Sequence, residues 1–472
     1  MNDVKKYDIS KNNVNMDDVY INGINPDQIS ADQISKDVQN AGVVGAGGAG
    51  FPTHVKLSAK AELVIVNAAE CEPLLKTDQQ LAARHPELLV KGLTLAMKAT
   101  GAQKGIIALK AKYKDAIAAL EPYITNTNNL EIAIMPDIYP AGDEVITIWL
   151  TTGRRVPPGG IPLNIGVVVN NVQTLINVAK AVAGTPVTTR TLTVTGAVKV
   201  PKTVTVPIGT SLRDVLELAG GIDQDLTYLS GGPMMGTLIT DLSTPVTKTT
   251  GGLIGLPKDH PLIKRKSMTV ETVLRIAKTV CEQCSFCTEL CPRHIIGHEL
   301  SPHRLIRAVN YKNMGDPLLV TSALTCSECG VCEAYACPVG ISPLRVNIAL
   351  KAELRAKGIK YQGELGKVDP MAKHRLIPSS RLMDRLRLRP WYKEAPLSLD
   401  VYQPEEVTLK LQQHIGAPAV PIIKVGDIVQ VGQLVGEIPT GALGAKVHAS
   451  IDGTVIQMTP QTITIRKGGA AK

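Results

Sequence analysis

Residues 281–292, CEQCSFCTELCP, and residues 326–338, CSECGVCEAYACP, decide the architecture of this chain, because they hold eight of its nine cysteines. The first run sets Cys281, Cys284, Cys287 and Cys291 at C-x2-C-x2-C-x3-C-P spacing. The second sets Cys326, Cys329, Cys332 and Cys337 ahead of Pro338, with four residues instead of three before its last cysteine. A loop of this spacing brings three thiolates around a [4Fe–4S] cube, while the fourth cysteine ligates the other cluster. The spacing therefore predicts one cube on Cys281, Cys284, Cys287 and Cys337, and another on Cys326, Cys329, Cys332 and Cys291. Zinc fits less well, since its sites use two separated C-x2-C pairs, and disulfide frameworks belong to small secreted chains. A chain with two such centres moves single electrons.

Outward from the cysteines, Ile295, Ile296, Leu300, Leu305 and Ile306 recur with helical period, which predicts a helical ferredoxin domain over 265–350. A length of 472 residues calls for several domains. No charged segment and apolar core open the chain, and no apolar run reaches the roughly 18–20 residues of a membrane helix. A cytoplasmic protein without a membrane span is expected, in keeping with its cysteine usage. The net charge of +9 is concentrated between Arg345 and Lys393, where Arg381, Arg385, Arg387 and Arg389 crowd together. Few aromatics and no binding motif accompany them, which argues against nucleic acid. Residues 351–396 are read as a basic linker, or as a docking face for an acidic protein or a phosphate-bearing ligand.

Residues 1–27 form a polar tail. A helix is predicted from Pro26 to Asn40 with Ile29, Ile34 and Val38 on its apolar face, then a strand from Leu63 to Val66, in an α/β domain over 28–187. Alternating Thr and Val from Arg190, with a short helix at Ser211 to Ala219, mark a β-grasp-like module over 188–264. Two hairpin-like runs, Gly426 to Gly432 and Ala449 to Val455, mark a barrel-sandwich domain over 397–472. The loop Gly45-Ala46-Gly47-Gly48-Ala49-Gly50 could let backbone N–H groups approach a phosphate closely. It fits a tight packing turn as well, and its spacing is not that of a dinucleotide fold.

Gly45 to Lys56, the Asn-x-x-Glu-x-Glu-Pro element from Asn67 to Pro73, and Val169 to Leu175 together resemble the flavin- and NADH-binding subunit of respiratory complex I. The resemblance implies FMN on Gly45, Gly47, Gly48, Gly50, Lys56, Asn67, Asn170 and Asn171, with NADH facing the catalytic pair Glu70 and Glu72. Cys71 between those acids reads as a packed thiol. Tyr139 to Glu144 and Thr152 to Pro157 narrow the match to the RnfC-like flavo-iron–sulfur family. That family includes the RnfC component of the Rnf ferredoxin:NAD oxidoreductase and the PduS-type cobalamin reductases of propanediol-utilising microcompartments. The implied fold is multidomain α/β: a complex I flavin-subunit-like domain, an SLBB-like β-grasp module, a helical two-[4Fe–4S] ferredoxin domain and a C-terminal barrel-sandwich hybrid domain. In the Rnf component the barrel-sandwich domain precedes the flavin domain; here it comes last, as in the cobalamin reductases.

The implied activity passes electrons from NADH through FMN and the clusters to a corrinoid, taking cob(III)alamin to cob(II)alamin and leaving open a further step to cob(I)alamin. Cobalamin is the implied substrate, and an adenosyltransferase and microcompartment shell proteins are the implied partners. Two other readings stand beside it: the electron-entry subunit of an Rnf-type complex, and a non-catalytic carrier or scaffold. The barrel-sandwich domain lacks the hairpin tip that accepts biotin or lipoate, so Lys446 is expected to be an ordinary surface lysine. Pro292 to Gly297 nearly spells D-x-H-x-x-G, by which some enzymes ligate cobalt, but it lacks the orienting aspartate; His294 is read as structural. For the tail, microcompartment targeting is one reading.

Overall fold

Short β-branched runs bounded by turn residues build the first sheet: β1 (Leu63–Asn67), β2 (Lys104–Lys110), β3 (Leu130–Met135) and β5 (Val167–Asn171), with the two-residue β4 (Ile138–Tyr139) outside it. The order is β3-β2-β1-β5 and every pair is parallel. Because the chain moves from β1 out to β3 and then returns to the far side of β1, the order reverses between β1 and β5. That crevice at the carboxyl ends of the strands is where open α/β sheets bind ligands. In the computed structural model, residues 26–468 are described apart from Asn126 and Asn313. The tail expected over 1–27 thus lies outside the described residues but for its last two positions.

The helix predicted from Pro26 begins later, at Ala31, where the Ser30 side chain accepts from Gln33 N (3.2 Å) and caps it; Ile34 and Val38 are its buried face. Helices Pro86–Thr100 and Val172–Val182 pack on each other, and Gly92 permits it: a Cβ there would run into the Leu175 carbonyl. Leu89, Leu93 and Leu175 are fully buried at this seam, each contributing about 1.5–3 kcal/mol.

A second, mixed sheet follows, from β6 (Thr189–Gly196), β7 (Lys202–Pro207), β8 (Leu226–Ser230), β9 (Thr237–Leu238) and β10 (Gly252–Pro257), in the order β7-β6-β10-β8-β9. Helix Leu212–Glu217, capped by Ser211, covers it as in a β-grasp. The cysteine-bearing region is helical, with Val270–Val280, Pro302–Asn310 and Pro343–Ala356 as its longest helices. The extra residue before Cys337 is taken up by a π-helical turn over Cys332–Ala336, a one-residue expansion that often sits at functional sites.

The stretch expected as a basic linker is a packed strap. β11 (Ile377–Pro378) pairs antiparallel with β4, and Leu382, Leu386 and Leu388 enter the core that also holds Tyr139 and Cys329. Its charge hid an apolar inner face. The last domain is a sandwich of a four-stranded and a three-stranded sheet. Its Val407, Leu409, Val455, Ile463 and Ile465 share one core with the first domain.

Candidate electron-transfer site

The glycine loop sits at the β1/β5 crevice. It closes on itself through Gly45 N donating to Phe51 O (2.9 Å). Ala46 N donates to Thr174 Oγ1 (2.9 Å), and Ala46 O accepts from Arg190 Nη2 (2.9 Å), a side chain of the second sheet. A Cβ on Gly47 would lie 3.1 Å from the Asn171 side chain, whereas one on Gly48 would meet nothing within 4 Å. Gly50 has a φ of +74° and packs against Gln413 and His414 of the sandwich domain, so two other domains wall the loop. The register sets Val66 beside Asn170 and Asn67 beside Asn171. Asn67 Nδ2 donates to Gly142 O (2.7 Å); Asn171 Oδ1 caps the following helix at Gln173 N (2.9 Å), and its Nδ2 donates to Asp78 Oδ2 (2.7 Å). Lys56 Nζ reaches Val169 O (3.1 Å).

Around this loop the hydrogen bonding is incomplete. Thr53 Oγ1, Asn170 Nδ2, Gln173 Oε1 and Arg190 Nη1 are buried and have no partner. Buried polar atoms are normally satisfied, so orphans on residues that neighbour the loop and the N-terminus of helix Val172–Val182, with an open glycine between, describe a cradle for a polar group. The residues fit FMN. Arg190 and Asp78 carried no motif in the sequence; the packing of the second sheet on the first brings Arg190 here, and Asp78 arrives on helix Thr77–Arg84 of the first domain.

Glu70 and Glu72 are anchored. Glu70 leaves β1 with a φ of 35°, unusual for a residue with a side chain, and Tyr113 OH fixes the turn by donating to Ala69 O (2.9 Å) and Glu70 O (3.2 Å). The Glu70 carboxylate accepts from Asp78 N (3.0 Å) and Gln79 N (3.3 Å), capping helix Thr77–Arg84. Burial, and then the charge of Asp78, raises its pKa. Glu72 accepts from Met234 N (2.9 Å) and Met235 N (2.7 Å) in the β8–β9 loop, and burial raises its pKa against those amides and Lys266. Both carboxylates therefore engage backbone donors and hold the 70–75 turn in place. Cys71 between them packs beside Gly142, its thiol pushed up to about 12 by burial and then by Glu72.

The cysteines gather in two sets. After burial, the charges that bear on Cys287 are those of Cys337, Cys284 and Cys281, with Cys291 of the other set last, and its thiol rises to about 12. Cys332 feels Cys326, Cys329 and then Cys291 beyond Glu333, and Cys329 feels Cys291 and Cys326. Among the described residues no three His, Cys, Asp or Glu side chains close on one ion-sized point. The thiols of Cys281, Cys284, Cys287 and Cys337 instead line a cleft. Several thiolates in low dielectric repel one another, and a cationic iron core offsets that repulsion, so the donor sets fit iron–sulfur cubes. Amides already point at sulfur: Gln283 Nε2 donates to Cys281 Sγ (3.1 Å), and Ile341 N to Cys337 Sγ (3.2 Å).

The two sets differ in position. Cys291, Cys326, Cys329 and Cys332 are all buried, whereas Cys284 of the other set is exposed. Tyr139 OH donates to Cys329 O (2.7 Å), and Tyr139, Cys71, Leu74 and Met234 share a core with Cys329. A buried ion pair, Arg293 Nη2 to Asp143 Oδ2 (2.9 Å), clamps the same seam. The inner set thus adjoins the flavin-type domain and the outer set faces solvent. His294 is half-buried, with Nδ1 lacking a partner. Lys446 departs from the expected surface lysine: half-buried, it pairs with Glu437 (3.1 Å).

Residues 38–180 match the Nuo51 FMN-binding domain, 191–238 the SLBB domain, 280–342 the 4Fe-4S dicluster domain and 394–471 the RnfC barrel sandwich hybrid domain. The cobalamin reductase PduS of Salmonella typhimurium is 60% identical over 428 residues, spanning 90% of this chain and 94% of that protein. The cobalamin reductase PduS of Citrobacter freundii is 59% identical over the same shares. A component of the Na+-translocating ferredoxin:NAD+ oxidoreductase complex of Acetobacterium woodii is 40% identical over 262 residues, 54% of this chain and 56% of that one.

Proposed function

The chain belongs to the cobalamin reductase PduS family, and from that premise we propose that it uses NADH to reduce the cobalt of a corrinoid, serving coenzyme B12 recycling in propanediol utilisation. One NADH gives up two electrons and releases NAD+ and a proton, so two cob(III)alamins become cob(II)alamin, each losing its upper axial ligand. FMN, when bound, exchanges electrons in pairs or singly, and the cubes carry them one at a time. Gly47, Gly48 and Gly50 would present amides to the flavin phosphate while Gly45 closes the loop on Phe51, Lys56 would add charge, and Asn67, Asn170 and Asn171 would hold the ring. Glu70 and Glu72, fixed by their amide partners, would shape the wall that the nicotinamide nucleotide meets. The observation that carries this reading is the 2.7 Å hydrogen bond from Tyr139 to Cys329, which ties the β4 turn to the inner thiolate set.

We place the reaction inside a cytoplasmic microcompartment, with an adenosyltransferase receiving the cob(II)alamin and shell proteins as neighbours. No helix among the described residues is long and apolar enough to cross a membrane. The Rnf-type alternative rests on the match over 54% of the chain; the sandwich domain in last place favours the reductase. The deciding experiment is anaerobic: with clusters and FMN reconstituted, NADH is added and the spectrum of cob(III)alamin followed. FMN-dependent appearance of cob(II)alamin is expected. Flavin and cluster bleaching without cobalt reduction would move the acceptor to an Rnf-like complex, and clusters without stoichiometric FMN would leave only a carrier.

A further inference from the structure

The outer thiolate set holds the one exposed cysteine among the cluster ligands, Cys284, and its surroundings are asymmetric. Beside exposed Cys284, three apolar side chains stand in solvent: Val280 (38% exposed), Phe286 (48%) and Val339 (44%). Val280 and Val339 line the cleft that Cys284 and Cys337 share. An apolar rim around the most accessible cluster ligand, with Glu282 as the one carboxylate among the described residues lining that cleft, suits a broad, weakly charged acceptor better than a highly charged one.

A second, open cleft of ≈ 450 Å³ is lined by Tyr335, Arg381, Asp384 and Arg385. Arg385 Nη2 donates to the Cys337 carbonyl (3.2 Å). The one acid here, Asp384, is taken by Arg389, with bonds of 2.5 and 3.1 Å. Arg381 and Arg385 therefore have no carboxylate partner among the described residues. Two unneutralised guanidinium groups beside a tyrosine ring form a receptor for a phosphate diester.

We propose that these two features form the corrinoid site: the corrin disc rests on the Val280, Phe286 and Val339 rim over Cys284, and the phosphodiester of its nucleotide loop lies on Arg381 and Arg385. The inference rests on the reductase reading above. It gives the cobalt its single electron through the outer thiolate set, and it explains why the apolar rim and the free arginines share one edge of the molecule.

The test is binding to the oxidised, FMN- and cluster-loaded protein by equilibrium dialysis, comparing hydroxocobalamin with a cobinamide, which lacks the nucleotide loop and its phosphate. Replacing Arg381 and Arg385 by Gln should weaken cobalamin binding about tenfold, near 1.4 kcal/mol, and leave cobinamide unchanged. Phe286→Asp with Val339→Asp should weaken both ligands tenfold or more. NADH reduction of bound FMN should stay as in wild type. If Arg385→Gln costs clusters through its Cys337 contact, Arg381→Gln alone carries the comparison. Wild-type binding of both corrinoids by both variants overturns the site. So does unchanged binding with loss only of transfer to cobalamin held on an adenosyltransferase, which would make this face a protein-docking surface. A wild-type protein that binds cobalamin but never reduces it leaves this site standing and overturns the reductase reading.

Discussion

Gly48 is the residue at which folding and cofactor binding separate. A methyl group there would meet no protein atom within 4 Å, and its φ is not in the left-handed region, so the fold has no objection to alanine. What the methyl would occupy is open space in the loop whose neighbouring residues Thr53, Asn170, Gln173 and Arg190 carry unpartnered atoms. Gly48→Ala is therefore expected to change stability by no more than about 0.5 kcal/mol and to lower FMN retention at least tenfold, with cluster absorbance intact. Thermal unfolding together with flavin released on dialysis measures both. Gly47→Ala differs, because its Cβ would press on Asn171 at 3.1 Å and disturb both the helix cap and the Asp78 bond. An alanine at 48 that keeps stoichiometric FMN would remove the flavin from this loop.

At the level of elements, the seam between the flavin-type domain and the helical domain is held by one buried ion pair with a double duty. Asp143 caps helix Glu144–Thr152 through Val145 N (3.0 Å) and Ile146 N (3.3 Å) while its other oxygen meets Arg293. Removing one partner of a buried pair leaves the other charge uncompensated, so Arg293→Ala is expected to destabilise by about 3–5 kcal/mol, read as an earlier denaturant midpoint for loss of cluster absorbance. Arg293→Met with Asp143→Asn should recover most of that, since asparagine keeps the cap. Equal losses in both variants would rule the charge out as the cause. This seam was only half legible in sequence. The cysteine spacing pointed to two clusters, because ligand geometry leaves a local trace in the sequence. Arg293 follows Pro292 with nothing to mark its partner 150 residues away. The strap shows the same limit: its arginines read as a solvated linker, while Leu382, Leu386 and Leu388 pack beneath them at a spacing that charge obscured. Arg190 and Asp78 were missed for the same reason, since contacts between domains, as for Arg190, or between distant elements of one domain, as for Asp78 with Asn171, follow no local period.

In the whole molecule, three domains converge on Lys248. Its ammonium donates to Gly42 O of the flavin-type domain and Lys446 O of the sandwich domain, both at 2.7 Å, while its amide donates to Gln413 Oε1 (2.9 Å). Among the described residues no carboxylate bears on it; the titratable neighbours are His448, Lys446 and His414, and burial followed by the two lysine charges pushes His448 down to about 3. Burial alone lowers Lys248 from 10.5 to about 7. An unfolded chain keeps that proton up to about 10.4. Between the two values the unfolded state binds more protons, so this lysine makes the folded assembly more stable as pH rises from about 7 to about 10, by up to about 1.4 kcal/mol per unit. Below about 7 both states are protonated and the contribution is flat. Lys248→Met keeps the volume and loses the titration. The stability difference between wild type and Lys248→Met, from denaturant midpoints at several pH values, should therefore shift toward wild type across that window and level off beneath it. A difference that stays constant from pH 7 to 10 would mean that water or rearranged carbonyls keep the ammonium charged, and that the junction of the three domains is wetter than its packing indicates.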